Sequence, residues 1–516
     1  MKQIHQPTLF WDRARSRKIN ARVVVEGDLI LLTPAHFGNG DGSDETDLPL
    51  LADEVDPTRP LLTGASLAGA LRAYLRRVSA DPALEIALFG GAHGDDEGEQ
   101  SPLIVDDALG QAAGIELRDG VKLDPATRTA AEGALFNIET WAAGTTFPLR
   151  LELLLVEGKD NEVALQALAA ALTGLTNDGI TLGMRKRRGY GQVRVMQWRV
   201  RRFNLAENVD DLLDWLQKGN DRLDDNNKVH TVAMVDSSGK PLPDDELMSV
   251  LLKAFGSSAP PIPNKESVFI VTAEFGLESS LLIRGSTGRD DLGPDMVHLH
   301  SKRNGKQEPA PILSGTSLAG ALRARATRIL NTLQRDKAER IIADMFGPEM
   351  KGRVTPKASR VVVEECEIVN AATDLVQNRI RIDRFTGGVV EGALFSEQPA
   401  FGKQDTRLTI RLRLLDPKDH EIGLLLLLLK DLWTGDLPLG GEISVGRGRL
   451  AGKSAELRLQ RDGGEQVWRI SAENGALRVE GDRQQLESFV SERLRGYFAP
   501  SQTPPQAGDV NATVRE

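Results

Sequence analysis

The sequence predicts an α+β protein built from two ferredoxin-like modules in tandem. Three observations lead to this prediction: the length of 516 residues, an internal repeat, and an order of strand and helix patterns that recurs in each copy. A chain of this length exceeds one ordinary hydrophobic core and suits two to four domains. Hydrophobic residues make up 40% and charged residues 27%, so the composition is that of a globular protein rather than a disordered or fibrous one.

The internal repeat consists of four pairs of short motifs in the same order. The pairs are TGASLAGALR (63–72) with SGTSLAGALR (314–323), Leu-Phe-Gly (88–90) with Met-Phe-Gly (345–347), Glu-Gly-Ala-Leu-Phe at 132–136 and 391–395, and glycine-rich loops at 183–191 and 440–448. The two copies of the first motif share eight of ten positions, and the offsets stay between 251 and 259 residues. Colinear matches at a nearly constant offset indicate a tandem duplication.

Each copy predicts the same elements in the order strand, helix, strand, strand, helix, strand. An opening strand is followed by a polar, Gly/Asp-rich segment and then by the helix of the repeated motif, whose residues Leu67, Leu71 and Tyr74 keep helical spacing. The other predicted elements are strands at 21–32, 147–155 and 192–200 and a helix at 161–172 in the first copy, with strands at 267–274 and 408–414 and a helix at 421–433 in the second. This order is the ferredoxin-like one.

The repeat also divides the chain into segments. We expect an N-terminal arm, a first module, a helix with linker and insertion, a second module, a C-terminal hairpin with a helix, and a disordered tail of low complexity. These segments span residues 1–20, 21–203, 204–266, 267–455, 456–498 and 499–516. Appended amphipathic helices are predicted at 209–217 and 484–494, after each module.

Charge, cysteine content and hydropathy limit the possible partners and location. The formal net charge is -10, which by itself would not suggest a nucleic-acid partner. The single cysteine, Cys366, excludes an intramolecular disulfide framework and a multi-cysteine zinc site, and it fits a reducing compartment. The most apolar run, 422–429, is too short to cross a bilayer, which needs ~20 residues, and it is expected to be a buried core helix. We therefore expect a cytoplasmic protein with no membrane partner.

The repeated Gly-x-Ser-Leu-x-Gly motif is the first candidate site. The Thr or Ser before the glycine is a typical helix cap, and a helix N-terminus with a serine hydroxyl and a following arginine is a natural cradle for phosphate. The candidate ligands are Gly64, Ser66 and Arg72 in the first copy and Gly315, Ser317 and Arg323 in the second. Small residues that merely permit close packing are the alternative, but the repetition with arginine retained favours phosphate. The spacing excludes a hydrolase nucleophile elbow.

The glycine-rich loop of the first copy is the second candidate site. Residues 185–202 include eight basic residues and no acidic one, which predicts a local nucleic-acid footprint that the net charge conceals. The glycines would let the backbone lie against a ligand chain, and Tyr190 could stack on a base. A solvated basic hairpin is the less favoured alternative. The candidate RNA-binding residues are Arg185, Lys186, Arg187, Arg188, Gly189, Tyr190 and Gly191, with Gly446, Arg447 and Gly448 in the less basic second copy.

The polar segment after the first strand of each copy is the third candidate site. A carboxylate precedes a short apolar stretch at Asp47 and again at Asp295. Acidic residues in a loop that faces RNA could hold Mg²⁺ or orient a ribose 2′-OH for attack on the adjacent phosphate. A merely soluble, flexible loop is the better interpretation of either segment taken alone. His298 and His300 would share one face of a strand, but no further His or Cys lies nearby, so no fixed metal site is predicted.

Taken together, these motifs resemble the RAMP superfamily, and more closely two backbone subunits of type III CRISPR effector complexes fused in one chain. The resemblance covers most of 21–200 and 267–450, and it includes the stretch RIRIDRFTGG (379–388) before the second Glu-Gly-Ala-Leu-Phe. It implies an RRM-like ferredoxin core in each module, with an inserted thumb hairpin that kinks a guide–target duplex. It also adds Arg381 and Arg384 to the candidate RNA-binding residues.

The resemblance further implies a function. The chain would bind crRNA at two consecutive positions without reading its sequence, while base pairing selects the target RNA. It would be a metal-dependent endoribonuclease that cuts the paired target at Asp47 and Asp295, with Mg²⁺ or another divalent cation not bound at a fixed protein site. The implied partners are crRNA, the complementary target RNA, other RAMP subunits and a large polymerase-like subunit.

Several alternatives remain open at this level. Neighbouring carboxylates compete for the catalytic assignment, namely Asp44, Asp53, Asp290 and Asp291. A pure scaffold with inert acidic loops would bind crRNA and recruit neighbours without cutting. A crRNA-processing endoribonuclease, with His36 as the candidate general base, is the least favoured alternative.

Overall fold

A computed structural model describes residues 18–38, 48–79, 81–91, 100–124, 129–218, 223, 228–285, 293–349, 355–461, 463–473 and 476–498. Most of the predicted N-terminal arm, the candidate Asp47 and the predicted tail 499–516 lie outside these residues. The division of the chain into six segments stays a prediction.

The first half of the chain contains a long opening strand, an inserted hairpin and several helices. Its strands are β1 (Ile19–Leu31), β2 (Leu61–Leu62), β3 (Leu103–Val105), β4 (Ala108–Leu109), β5 (Ile115–Leu123), β6 (Ala130–Trp141), β7 (Thr146–Val156), β8 (Val193–Val195), β9 (Gln197–Phe203) and β10 (His230–Ala233). Its helices are α1 (Gly64–Ser79), α2 (Pro82–Phe89), α3 (Asn161–Thr173), α4 (Val209–Lys218) and α5 (Asp244–Ala254), with a 3₁₀ turn at Lys186–Arg188.

The second half repeats this series and extends it at the C-terminal end. Its strands are β11 (Val268–Leu277), β12 (Ser280–Leu281), β13 (Met296–Val297), β14 (His300–Ser301), β15 (Ala310–Leu313), β16 (Val361–Val363), β17 (Cys366–Val369), β18 (Gln377–Ile382), β19 (Val389–Gln398), β20 (Ala400–Phe401), β21 (Arg407–Leu415), β22 (Leu450–Arg461), β23 (Gly464–Glu473) and β24 (Ala476–Glu480). Its helices are α6 (Gly315–Leu333), α7 (Arg335–Phe346), α8 (Asp419–Trp433), α9 (Arg483–Ser488) and α10 (Arg495–Phe498), with a 3₁₀ turn at Ile443–Val445 and a π-helical turn at Phe489–Leu494.

The two main sheets have the same central arrangement. The first runs β10–β9–β1–β7–β3, and the second contains β17–β21–β11–β22–β23–β24. In each sheet the four strands of the repeated unit are antiparallel and lie in the order fourth, first, third, second, which is the ferredoxin-like arrangement. The predicted α+β class and the duplication of this unit are confirmed.

The helices lie against these sheets through the apolar positions that the sequence pattern indicates. Leu67, Leu71 and Tyr74 of α1 are buried in the first core. The apolar run 422–429 lies within α8, whose Leu424, Leu425 and Leu428 are buried in the second core. Each core is therefore closed by a helix whose apolar residues recur every three or four positions. No helix in the described parts of the chain is long and apolar enough to span a membrane.

The segment between the modules is more ordered than the interpretation as linker and insertion suggests. Strand β10 pairs with β9 and adds a strand to the first sheet, and α5 packs against α3. Leu247, Leu251 and the following Phe255 are fully buried in the first core. Residues 230–254 thus add a strand to the first sheet and a helix to the first core, because this polar segment contains an apolar helix face.

Each module also carries an inserted hairpin outside its main sheet. In the first module β5 pairs with β6, and in the second β18 pairs with β19. Short strand β13 runs parallel to β19, and the isolated bridge between Leu48 and Ile138 is also parallel. Both hairpins are thus fastened at their base by the segment that follows a candidate acidic residue.

Candidate functional site

The helix start of the first module borders an open cavity of about 570 Å³. Thr63 caps the helix as predicted, since its Oγ1 accepts from the Ser66 backbone N–H at 3.3 Å and donates to the Ser66 hydroxyl at 2.8 Å. The Gly64 N–H donates to Asp107 Oδ1 at 2.7 Å. Ser66 and Lys186, far apart in the sequence, both line the cavity and are exposed. The fold thus brings a helix N-terminus and the side chain of Lys186 to one concave surface.

His36 also lines this cavity, with an imidazole that is almost completely buried. Its Nδ1 lies 2.7 Å from the Glu139 carbonyl oxygen, which can only accept, so Nδ1 carries the hydrogen. The Nε2 atom has no hydrogen-bond partner among the described residues. The ring therefore presents Nε2, without a partner among the described residues, next to the helix start. The sequence pattern indicated His36 only as a candidate base for RNA processing, because nothing in it predicts that His36 and Ser66 lie together.

The two motif arginines point away from the helix starts. Arg72 donates to Glu85 of α2 at 2.7 Å. Arg323 donates to the carbonyl oxygens of Phe346 and Gly347 at 3.4 and 2.9 Å. Both side chains therefore fasten the first helix of the module to the next helix, and the predicted phosphate contact is not favoured by their placement.

The helix start of the second module is covered by the first module. Ser314 caps it, accepting from the Ser317 backbone N–H at 3.3 Å. A Cβ on Gly315 would lie 2.3 Å from the carbonyl oxygen of Arg188, so only glycine fits under this loop. The two predicted cradles thus differ, since Ser66 is exposed and Ser317 is partly covered.

The two glycine-rich loops have the same backbone geometry. Arg185 and Glu442 begin the loops in the left-handed region, with φ of 55° and 57°. A 3₁₀ turn follows in each, and Gly189 and Gly446 end it with φ of 87° and 90°. Such positive φ values strongly favour glycine, which explains why these glycines occur at matching positions in both copies.

The basic residues of the first loop have different surroundings. The side chain of Lys186 is exposed by its accessible surface, but the surrounding protein partly desolvates its ammonium group. This desolvation, together with the charge of Arg187, lowers the pKa of Lys186. Arg185 lies 4.7 Å from the centroid of the Phe136 ring in a cation–π contact. Burial, with smaller effects from neighbouring charges, lowers the pKa of both Arg187 and Arg188 to about 10, so both side chains remain protonated near neutral pH.

Arg188 and Tyr190 are directed into the protein. The Arg188 guanidinium donates to the Phe346 and Val361 carbonyls of the second module at 3.3 and 3.4 Å. The Tyr190 ring is 5% exposed and lies 5.8 Å from the Arg118 guanidinium. The predicted stacking of Tyr190 on a base is therefore not favoured, because the ring offers no open face.

Arg447, the counterpart of Tyr190, is also buried. Its guanidinium donates to Glu397 at 2.6 Å, to Glu442 at 2.8 Å and to the Ser280 hydroxyl at 2.9 Å. Burial, with the neighbouring Glu442, raises the pKa of Glu397. Arg447 thus ties the second loop to the base of the β18–β19 hairpin, and its guanidinium is not presented to a ligand. The RNA contacts assigned to this loop stay a prediction.

Asp295 is an exposed carboxylate held from one side. Its Oδ2 accepts from the Ser396 backbone N–H at 2.7 Å, and the Ser396 hydroxyl lies 3.1 Å away. These hydrogen bonds lower the pKa of Asp295, because they favour the ionised form. Its other oxygen, Oδ1, accepts no hydrogen bond from the described residues.

The structure also relates Asp295 to the position of Asp47. Asp47 is outside the described residues, but Leu48 after it bridges Ile138 of β6 in parallel. Met296 after Asp295 pairs with Glu397 of β19 in the same way. The two candidate acids therefore precede equivalent points at the base of the two hairpins.

The competing carboxylates are only partly within the described residues. Asp53 lies just before a bend, where its Oδ1 accepts from the Val55 N–H at 3.2 Å. Asp44, Asp290 and Asp291 lie outside the described residues. The bond from Val55 gives Asp53 a local role in shaping the chain after the first acidic segment.

His298 and His300 have the surroundings of structural residues rather than those of metal ligands. The Ile283 N–H donates to Nδ1 of His298 at 3.2 Å, and Nε2 of His298 donates to the Ile312 carbonyl at 3.0 Å. Burial, with a contribution from His300, lowers the pKa of His298 to about 4. No group of three or more His, Cys, Asp or Glu side chains in the described ranges is arranged to hold a metal ion.

The hairpin of the second module carries the remaining candidates. Arg381 and Arg384 are exposed near its tip, and Phe385 is 99% exposed. Asp383 shapes the tip by accepting from the Phe385 and Thr386 N–H groups at 2.9 and 2.8 Å. The hairpin thus presents two cations and one aromatic ring to solvent.

Comparison with known proteins identifies one family. The family model described as the RAMP superfamily matches residues 28–194 and 281–451, one match in each half of the chain. The two matches fall on the two ferredoxin-like units and include both helix starts and both glycine-rich loops. A search of the curated proteins finds no match to the chain.

Proposed function

The chain belongs to the RAMP superfamily, which supports a CRISPR-associated RNA-binding subunit, and from this premise we propose that it is a backbone subunit of a type III effector complex. It binds crRNA at two consecutive positions and cuts the paired target RNA at the base of each hairpin. The observation that carries the proposal is Asp295, an exposed carboxylate fixed beside the second hairpin, with an equivalent position for Asp47 beside the first.

Guide binding is supported by groups suited to a sugar–phosphate backbone rather than to base edges. The exposed Lys186 and the Ser66 hydroxyl lie at the first helix start, where the helix N-terminus favours phosphate. Arg381 and Arg384 add exposed charge on the second hairpin. Because the described contacts of Arg188 and Arg447 are internal, these two arginines organise the RNA-binding surface instead of touching the guide.

Cleavage is supported by the chemistry of Asp295. Ser396 holds one carboxylate oxygen and favours the ionised state, which leaves Oδ1 available as an acceptor at neutral pH. From this position the carboxylate would accept a hydrogen bond from a ribose 2′-OH and orient it toward the adjacent phosphate. The carboxylate forms no covalent bond to RNA.

A divalent cation fits this carboxylate only together with RNA. Asp295 belongs to no group of three or more His, Cys, Asp or Glu side chains among the described residues, but Mg²⁺ is often held by one or two carboxylates plus substrate phosphates. Such an ion, when bound, would neutralise charge on the reacting phosphate. Asp295 would hold it through Oδ1, while Ser396 fixes the other oxygen.

The proposal is tested by cutting assays on the assembled complex with labelled complementary RNA and Mg²⁺. Asp295→Ala should slow one cut by at least about 100-fold, and Asp47→Ala should slow another, with crRNA affinity unchanged. Asp236→Ala is the matched control, because it removes another exposed carboxylate that accepts from backbone N–H groups, at 2.8 and 3.0 Å, and lies outside both hairpins, so neither cut should change. Lys186→Ala should weaken guide binding and reduce its salt dependence by about one counterion.

Two results would contradict the proposal. If both aspartate variants leave the cutting pattern unchanged, the acidic loops are not catalytic. If the unmodified complex protects the complementary RNA without cutting it, the chain is a scaffold that binds the guide and spaces its neighbours.

A further inference from the structure

The two modules contact each other head-to-tail, through different surfaces. Each module therefore has a second surface that this contact does not use. The first module contributes its glycine-rich loop, and the second contributes the edge formed by residues 359–365, the end of α7 and Gly315. A heterologous contact of this kind leaves a free edge at one end of the array and a free loop at the other. Within the described parts of the chain, an edge of the first module and the loop of the second are therefore left without such a partner.

The occupied edge shows which groups receive the loop. Besides the Phe346 and Val361 carbonyls, the Ser359 hydroxyl lies 3.5 Å from Arg188 Nη1. A Cβ on Gly189 would lie 2.4 Å from the backbone nitrogen of Glu365, so the loop backbone is in close contact with the edge. Glu364 and Glu365 give this edge a negative charge, and both are largely buried here.

The same receiving groups are present on the first module. The Ser101 hydroxyl donates to the Leu88 and Leu103 carbonyls at 3.2 and 2.9 Å. The Ser359 hydroxyl makes the equivalent pair of bonds, to Met345 and Val361, at 3.1 and 2.7 Å. We call residues 101–107 together with the end of α2 and Gly64 the free edge.

The free edge is acidic and presents exposed carboxylates. Asp106 and Asp107 occupy the positions of Glu364 and Glu365, and both aspartates are exposed. The Arg150 guanidinium lies 3.7 Å from Asp106, as the Arg411 guanidinium lies 3.7 Å from Glu364. The ion pair beneath the edge is thus duplicated along with the edge itself.

The free loop on the second module has the backbone for docking but lacks the charge. A Cβ added to Gly446 would meet none of the described residues within 4 Å, whereas Gly189 is tightly covered. Val445 stands where the first loop has Arg188, and it is 56% exposed. Ile443 and Ser444 replace Lys186 and Arg187. This loop therefore has no guanidinium at the position of Arg188 to donate to helix-end carbonyls. Its Arg447 bonds within the second module, and the exposed Arg449 stands at the position of Gln192.

We propose that the free edge docks a glycine-rich loop of a different protein subunit, one that carries arginine at the position of Arg188. Val445, Ile443 and Ser444 prevent a second copy of this chain from using the same contact, so the chain does not polymerise with itself. The proposal rests on the proposed function only in taking the partner to be another subunit of the same complex. Its physical basis, the preserved receiving groups and the mismatched charges, does not depend on RNA.

The experiment gives the second loop the chemistry of the first and measures self-association. The full chain, free of RNA, is examined by sedimentation velocity over a wide range of concentration. The unaltered chain should be monomeric at every concentration. The triple variant Ile443→Lys, Ser444→Arg, Val445→Arg should form dimers and longer arrays, with its mass rising with concentration. Glu442 is left unchanged because it bonds Arg447.

Two further variants show whether the arrays form through the free edge. Adding Asp106→Lys to the triple variant should return it to a monomer, because a lysine on the edge repels the grafted loop. The triple glutamine variant at 443, 444 and 445 is the matched control, since it is polar but uncharged, and it should stay monomeric. If the triple variant fails to fold, the single variant Val445→Arg is examined for self-association in its place. A thermal melt like that of the unaltered chain shows that this single variant is folded.

Two outcomes would overturn the proposal. If the unaltered chain self-associates and Val445→Asp abolishes this, a second copy is the occupant of the free edge. If the folded arginine variants remain monomeric, the free edge does not receive such a loop. Neither outcome depends on guide binding or target cleavage, so failure here is distinguishable from failure of the proposed function.

Discussion

The glycine-rich loops of the two modules have nearly the same backbone and opposite chemistry. Arg185 lies over the Phe136 ring of the first hairpin, while Glu442 at the matching position accepts from Arg379 of the second hairpin at 3.2 Å. Each loop is therefore tied to its own hairpin, once by a cation–π contact and once by an ion pair. Duplication preserved the conformation that glycine makes possible, while the side chains diverged according to what each loop meets.

This difference shows that position in the array, rather than the motif, decides what a loop does. The first loop lies between two modules, where Arg188 donates to the Phe346 and Val361 carbonyls of the second. No module among the described residues covers the second loop, and its one arginine between the glycines is used internally. The following changes test whether the contact between modules, and not the motif alone, accounts for the difference.

The largest effect is expected for Arg118→Ala. The Arg118 guanidinium is buried between the modules and donates to Glu365 at 3.2 Å and to the Ser301 hydroxyl at 2.6 Å. Its removal leaves the buried Glu365 with less compensation, which should reduce the free energy of unfolding by roughly 3–5 kcal/mol. Urea unfolding of the full chain measures this loss.

The control for Arg118 is Gln377, which occupies the same position in the second hairpin. Gln377 pairs with Glu397 as Arg118 pairs with Ile138, and it accepts from Arg447 at 2.9 Å. Gln377→Ala should cost only about 1 kcal/mol, because it removes one hydrogen bond and leaves Arg447 with its carboxylate partners. Equal losses for the two variants would mean that the ionic contact between modules contributes nothing special to stability.

A smaller difference is expected between Gly189→Ala and Gly446→Ala. Both glycines have a φ of 87° or 90°, so either alanine should cost about 1–2 kcal/mol in backbone strain. Only at 189 would the new Cβ also meet a backbone atom of the other module, at 2.4 Å, which should add about 1–3 kcal/mol. The comparison is made by thermal unfolding of the two variants. Indistinguishable melting curves would show that the modules are not in close contact at this loop.

The parts of the fold that could be predicted are those with a short-range signal. Leu67, Leu71 and Tyr74 lie on the buried side of α1 because an apolar face at helical spacing must be covered. Thr63 and Ser314 are caps because their hydroxyls can reach a free backbone N–H. The order of these elements, repeated in each copy, was enough to predict the ferredoxin-like arrangement of the sheets.

The parts that could not be predicted depend on long-range contacts. A run of basic residues looks the same in sequence whether its members face RNA or, like Arg188, the carbonyls of another module. The exposed Lys186 and the largely buried Arg188 are near neighbours in the sequence, and only the docking of the modules separates their roles. His36 and Ser66 line one cavity because the segment after β1 meets the start of α1 there, which no local pattern indicates.

The smallest effect is a pH dependence that should be confined to the second module. His298 bridges Arg284 in the backbone pairing, as Leu50 bridges Gly38 in the first module. Burial, with His300 nearby, lowers the pKa of His298 to about 4, below the 6.5 of a free histidine. Between these two pH values the unfolded chain binds more protons than the folded chain. The free energy of unfolding therefore has its full value above about pH 6.5 and falls as the pH drops toward 4. The loss should approach, at most, about 1.4 kcal/mol per pH unit.

This pH dependence is measured by urea unfolding at about pH 5 and pH 7, followed by tryptophan fluorescence, to which Trp433 and Trp468 contribute from the second half of the chain. His298→Gln removes the titrating group while keeping a side chain that can both donate and accept, so the difference in unfolding free energy between the two pH values should shrink by about 2 kcal/mol. His230→Gln, which removes an exposed histidine on β10, should leave that difference unchanged. If His298→Gln keeps the full pH dependence, the acid sensitivity of the second module arises from its carboxylates. In that case His298, which stands where the first copy has Leu50, has no effect on the stability of the second copy at low pH.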